Sequence, residues 1–304
     1  MNPVSMTLAG TLACTLAGIL SLGCASSGAA SFATPHEAVR RLVTAAEDEK
    51  VAEQLLGPGG FSLLRSGDDV SDRADFEAVV ALVGEGVVFE DLDADRKVAL
   101  LGRERWELPI PLVREAGAWR FDVEAGREEI LNRRVGRNEL STLATLRAIV
   151  EAQREYAAQS RDGTAPAFAA RLLSREGKYD GLYWPVAEGE EPSPLGLLVA
   201  EASEEGYGDG KSPNPYHGYH YRLLTEQGPH APGGARSYLD AQGRLTGGFA
   251  VIAWPATHDN SGVMTFLVNQ RGIVFQKDLG PETEQAVGRI RAYDPDDSWT
   301  PTAD

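Results

Sequence analysis

The sequence predicts an α+β fold with N-terminal helices and a curved antiparallel sheet, then a long helix packed on a C-terminal antiparallel sheet. Three observations predict it. Apolar residues recur at helical spacing in the N-terminal part, the period changes to strand alternation after Gly86, and residues 247–254 are apolar at nearly every position. A run of that last kind suits a strand that is buried on both faces.

The chain begins with features typical of an exported protein. Its first thirty residues carry no charged side chain, and residues 8–22 form an apolar run of the length of a signal-peptide core. The run ends in Leu-Ser-Leu-Gly-Cys, which resembles a bacterial lipobox with Cys24 as the lipidated residue. Acyl chains on Cys24 would hold the protein at a membrane without a spanning helix. The alternative is cleavage near residues 28–30 and secretion.

Residues 1–24 are thus predicted to be a signal peptide with lipobox, and residues 25–33 a linker. Ala25 and Ser26 after the cysteine favour the outer membrane if the cell has two membranes, with the protein facing the periplasm. Cys14 and Cys24 are the only cysteines, so the mature part has no thiol for a disulfide, a cysteine nucleophile or a zinc site.

The acidic net charge of the chain argues against two classes of partner, nucleic acids and anionic lipid headgroups. The formal net charge is -16, from 45 acidic and 29 basic residues. A phosphate backbone requires a basic face, so nucleic-acid binding is not expected. Anionic lipid headgroups are disfavoured as a direct contact for the same reason.

The first domain is predicted over residues 34–135. Thr34 and Glu37 form a capping box with a proline at the first helical position, and this helix continues or restarts through residues 51–56 up to Gly57. A second helix follows Ser71. Residues 87–90 and 97–101, then 106–114 and 118–123, read as two hairpins. Helices followed by such a sheet resemble the cone-shaped fold of nuclear-transport-factor-like and steroid-isomerase-like proteins, a likeness that implies fold alone.

The second domain is predicted over residues 136–304. A helix over 124–134 ends at Gly136, and Asn138 caps a long helix to about Ala158. A short helix is expected around 167–173. Strands follow at 216–224, 247–254, 263–268 and 273–279, the last three as an antiparallel meander.

Several phrases of the chain are similar to the bacterial family called domain of unknown function 2950. They occur in the same order and include AGREEILNRRVGRNEL (125–140), GKYDGLYWP (177–185), TGGFAVIAWPA (246–256) and SGVMTFLVNQRGIVFQKDLG (261–280). The resemblance implies a secreted or lipid-anchored envelope protein and assigns no activity. The C-terminal half also resembles the globular head of type IV pilins, although here the helix is internal.

Candidate site residues are few. The motifs of serine hydrolases, P-loop proteins, dinucleotide-binding proteins and HExxH metalloproteases are missing from the sequence. His217 and His220 remain as candidates for acid–base catalysis beside a carboxylate, although strand alternation directs them to opposite faces. Five aromatic residues are candidates for a ligand-binding groove, with a core role as the alternative: Tyr183, Trp184, Tyr216, Tyr219 and Trp254.

These features predict a cell-envelope lipoprotein that is a non-enzymatic binding or structural component, with a protein or glycan partner and without cofactor or metal. The alternative is a periplasmic hydrolase that uses a histidine–carboxylate pair in the C-terminal domain. Close approach of such a pair, within about 3.2 Å, would favour chemistry, and an exposed aromatic surface would favour binding.

Overall fold

The computed structural model describes residues 29–44, 48–159, 166–186, 189, 192–205, 207 and 215–303. The predicted signal peptide and Cys24 therefore lie outside the described residues. Within these ranges, no helix combines the length and the apolar character that a membrane crossing requires.

The N-terminal half opens with four helices, three of which begin at a side-chain cap. They are α1 (Pro35–Leu42), α2 (Glu49–Leu56), α3 (Gly60–Leu64) and α4 (Asp69–Glu85). The Thr34 hydroxyl accepts the Glu37 N–H, as the predicted capping box requires. The carboxylate of Asp68 caps α4. This helix therefore begins at Asp69, earlier than the predicted start after Ser71.

An antiparallel sheet follows in the order β1-β2-β4-β5, with β3 paired to β2. Its strands are β1 (Val87–Asp91), β2 (Arg96–Leu101), β3 (Trp106–Glu107), β4 (Leu112–Glu115) and β5 (Ala118–Phe121). The predicted strand 106–114 is split because Pro109 and Pro111 cannot donate to a ladder. One apolar cluster joins α1, α2 and this sheet, with Val39, Leu55 and Phe121 buried in it.

A single helix, α5 (Val123–Ala158), joins the two halves. The predicted break at Gly136 and the predicted cap at Asn138 are wrong. Gly136 has open space around it, and one helical glycine costs only about 1 kcal/mol, so packing on both sides keeps the helix continuous. Asn138 is buried, and its amide donates to the Ser261 carbonyl at 2.9 Å. The predicted domain boundary at 135–136 thus falls inside one helix.

The C-terminal half contains a five-stranded antiparallel sheet in the order β14-β13-β12-β11-β8. The elements of the C-terminal half after α5 are β6 (Arg171–Leu173), β7 (Gly181–Tyr183), α6 (Gly196–Glu205), β8 (Tyr219–Leu224), β9 (Glu226–Gln227), β10 (Arg236–Ser237), β11 (Ala250–Pro255), β12 (Met264–Asn269), β13 (Phe275–Asp278), α7 (Thr283–Arg289) and β14 (Thr300–Pro301). The predicted helix at 167–173 is wrong, because residues 171–173 form β6, which pairs in parallel with β7. Gly181 of β7 has no Cβ, so the two strand backbones can approach closely at Leu173.

The strand predicted to be buried on both faces is β11, and that prediction is confirmed. Val251 and Ala253 pack in one cluster with Leu146 and Ile149 of α5. Ala250 and Ile252 pack in a second cluster on the other face, with Val287 and Trp299. The meander is also confirmed, since β11, β12 and β13 pair antiparallel in sequence order. The fold is α+β.

Candidate functional site

The sequence-predicted candidates lie in different places. Tyr219 and Trp184 are buried, with 0% and 6% of their surface exposed. Tyr183 packs against the same cluster as Tyr219, whereas Trp254 packs against the cluster on the opposite face of the sheet. The five aromatic residues therefore do not line one groove.

Tyr219 is a core residue. Its hydroxyl donates to the Met264 carbonyl at 2.9 Å, and its ring approaches Phe266. Burial raises the pKa of Tyr219 well above its usual range. Gly262 is required beside it, because a Cβ there would lie 2.1 Å from the Tyr219 hydroxyl.

His220 and Trp254 help to hold α7 on the sheet. Their ring centroids are 5.5 Å apart, and the Trp254 indole N–H donates to Glu284 at 3.0 Å. Arg222 lies over the same indole and donates at 2.8 Å to the carbonyls of Val287 and Ile290, at the C-terminal end of α7. Burial lowers the pKa of His220.

Tyr216 and His217 come together with Tyr207, and these three residues form what we call the aromatic patch. The Tyr216 ring is 4.2 Å from His217 and 4.9 Å from Tyr207, and Tyr207 is 5.4 Å from His217. All three side chains are partly exposed. The predicted strand 216–224 begins only at Tyr219, because His217 and Gly218 take φ values of 49° and 74° and form a turn.

A buried carboxylate from the N-terminal half fixes this turn. Asp68 is 2% exposed. Its Oδ1 accepts two N–H groups at the start of α4. Its Oδ2 accepts the Tyr207 hydroxyl at 2.7 Å and the Gly218 N–H at 2.9 Å. Burial raises the pKa of Tyr207, and so does the bond to Asp68, so the phenol remains a donor.

The exposed side of the aromatic patch is acidic. His217 Nε2 lies 3.3 Å from a Glu205 carboxylate oxygen. Burial lowers the pKa of His217 although Glu205 and Asp68 oppose the shift, so the imidazole is neutral at neutral pH. Burial, with the charges of Glu205 and Glu201, raises the pKa of Tyr216 to about 12.

Other charged groups at the junction of the two halves stabilise the fold. Arg134 is buried and donates to the carbonyls of Leu63 and Arg65 and to Asn260 Oδ1. Arg137 pairs with Asp75 through two bonds of 2.6 Å. Within the described ranges, no group of three or more histidine, cysteine or carboxylate side chains is arranged to hold a metal ion.

Sequence reasoning found Tyr216 and His217 but missed Asp68, Tyr207 and Glu205. Asp68 is 150 residues from Gly218, and the only signal it carries is that of a helix cap. Tyr207 lies in a segment that reads as an exposed excursion. Nothing in either local pattern indicates that these residues meet.

Comparisons with known proteins identify a family. No curated protein and no solved structure matches the chain, so the likenesses to cone-shaped folds and pilin heads stay predictions. The profile of one family, described as "Protein of unknown function (DUF2950)", matches residues 29–302. That match covers most of the sequence, and the chain therefore belongs to the DUF2950 family.

Proposed function

We propose that this protein is an exported envelope lipoprotein, anchored through Cys24, that acts by binding a partner at the aromatic patch. The observation that carries the binding role is the patch itself: three rings contact one another, stay partly exposed and are fixed by the buried Asp68 carboxylate. Tyrosine gives large contact area at low entropic cost and is enriched where binding energy is concentrated.

Anchoring is supported by the uncharged leader and the Leu-Ser-Leu-Gly-Cys run. Replacement Cys24→Ala is expected to move the protein from the membrane fraction to the soluble fraction. Cys14→Ala is the matched control and should leave it in the membrane. Retention of the Cys24→Ala protein in the membrane would remove the anchor from the proposal.

Binding is tested with a photo-crosslinking amino acid placed at Tyr216 in the native envelope. We expect one discrete crosslinked product, because the partner contacts this ring. The same amino acid at Val88, which is 49% exposed on the N-terminal sheet, is the control and should give none. Equal crosslinking at the two positions would mean that Tyr216 marks no binding surface.

A second candidate, hydrolysis, is favoured by the lowered pKa of His217, since a neutral imidazole can act as a general base. Its Nε2 lies 3.3 Å from Glu205, just outside the distance expected of a catalytic histidine–carboxylate pair. It predicts that the purified protein cleaves envelope peptides or glycans and that His217→Gln lowers the rate by about 100-fold or more. His258→Gln, at a histidine paired with Asp278 elsewhere, should not. Equal rates for both variants would exclude this chemistry.

A further inference from the structure

Strand β8 is an edge strand of the five-stranded C-terminal sheet, and its free edge starts beside the aromatic patch. In an antiparallel pair, successive residues direct their backbone N–H and C=O groups alternately toward one neighbour and away from it. The ladder with β11 therefore decides which residues of β8 face outward.

The even-numbered residues of β8 face β11. The Ala256 N–H donates to the Gly218 carbonyl at 2.9 Å, which places residues 218, 220, 222 and 224 in hydrogen-bonded pairs with β11. The odd-numbered residues face outward. Two contacts on the outer edge agree with this assignment. Tyr219 and Tyr216 exchange backbone hydrogen bonds of 3.1 and 2.8 Å, and the Thr225 carbonyl accepts the Tyr238 N–H at 2.8 Å.

Between these two contacts lies a window of open edge, formed by Tyr221 and Leu223. Among the residues that the structure describes, no backbone group pairs with their outward N–H and C=O groups. Both residues are partly exposed, and their side chains pack against the main core cluster. The window is thus a fixed row of two donors and two acceptors, the arrangement that takes up an extended chain.

We propose that the partner adds a short extended peptide segment to this window as a further strand, with a basic side chain of that segment at the aromatic patch. This inference rests on the proposed binding role and names its ligand class. Charge complementarity selects a cationic segment. A Glu205 carboxylate oxygen lies 3.3 Å from His217 Nε2 at the patch, and the negative charges of Glu201 and Glu205 help to raise the pKa of Tyr216. The rings offer faces for a cation, and the whole chain carries a net charge of -16.

The short window limits what fits. The Tyr216–Tyr219 contact closes it at one end and the Tyr238–Thr225 bond at the other, so a long strand cannot pair along all of β8. A peptide backbone repeats donors and acceptors at the spacing of a strand, which a glycan does not. A second copy of this chain is the competing occupant of the window, and the first experiment below distinguishes it from a peptide.

The first experiment measures amide hydrogen exchange by NMR in the free protein. Tyr221 and Leu223 are expected to exchange about 100-fold faster than Arg222, whose N–H faces β11. Slow exchange at both would mean that the edge is covered and would overturn the proposal. Slow exchange together with a dimer on sizing would assign the edge to a second copy.

The second experiment selects binders from a pool of acetylated hexapeptides with one fixed lysine. Selected peptides should slow exchange at Tyr221 and Leu223. Leu223→Pro removes an outward backbone donor and should weaken peptide binding about tenfold relative to Leu223→Ala. Leu223→Ala is the matched control, because it also loses the packing of the leucine side chain but keeps the backbone N–H. Equal binding by the two variants, or a pool without binders, would overturn strand addition.

The two proposals fail differently. If Leu223→Pro abolishes the Tyr216 crosslink in the envelope while Leu223→Ala keeps it, both stand. If Leu223→Pro keeps the crosslink, binding at the patch stands and strand addition falls. If neither the parent protein nor Leu223→Ala gives a crosslink at Tyr216, the binding role itself falls.

Discussion

The two five-stranded sheets that the structure describes are stabilised differently. The N-terminal sheet has one main apolar cluster, and α4, which contacts it, has no fully buried residue. The C-terminal sheet is covered on both faces by separate apolar clusters. The comparison teaches that the C-terminal half holds the more complete core, while the position of the N-terminal half depends on α5 and on buried polar contacts at the junction.

The largest expected effect compares Phe249, which precedes β11 and is buried in the C-terminal core, with a phenylalanine of the N-terminal sheet. Phe249 is 0% exposed, so Phe249→Ala should lower the free energy of unfolding by about 3–5 kcal/mol. Phe89 on β1 is partly exposed and leaves a smaller cavity, so Phe89→Ala should cost clearly less. Chemical denaturation measures both. Equal losses would remove the distinction between the two cores.

The next effect concerns the junction. Arg134→Met leaves the Leu63 carbonyl and Asn260 Oδ1 without the buried guanidinium that donates to them, and it should cost about 3 kcal/mol. Arg147 lies exposed on the same helix, and Arg147→Met is the matched control, with a change within about 0.5 kcal/mol. If Arg134→Met were as mild as its control, polar contacts would not hold the halves together.

Two glycines of α5 sharpen the contrast along that helix. A Cβ at Gly126 would lie 2.9 Å from the Ile110 Cα and the Pro109 carbonyl oxygen, so Gly126→Ala should destabilise by about 2 kcal/mol. Gly136 faces open space, and Gly136→Ala should stabilise by about 0.5–1 kcal/mol. Thermal unfolding measures both signs. Destabilisation by Gly136→Ala would contradict a continuous helix.

The smallest effect is a dependence on pH at the aromatic patch. Burial lowers the pKa of His217 below its unfolded value of about 6.5. The unfolded chain then binds the proton more readily, so stability present above about pH 6.5 is lost as the pH falls below it. His217→Gln should flatten this loss in part, because burial also lowers the pKa of His220. An unchanged profile would mean that His217 titrates normally.

The sequence predicts the C-terminal core better than it predicts the candidate site. An uninterrupted apolar run specifies β11, and tight turns specify the meander, because both signals are local. Asn138 shows the limit. An asparagine soon after a glycine is typical of a helix start, yet this one is buried and its partner is Ser261. Asp68 meets Tyr207 only through the tertiary fold, so no local pattern reveals the pair.

The central claim is that the N-terminal half, through Asp68, fixes the turn that carries the aromatic patch. It is tested most directly by amide hydrogen exchange at Gly218, whose N–H donates to Asp68 Oδ2. We predict strong protection in the parent protein and its loss in Asp68→Ala, while the Gly272 N–H, which donates to the Asn269 carbonyl, keeps its rate. Rapid exchange of Gly218 in the parent protein, or protection that survives Asp68→Ala, would contradict the account.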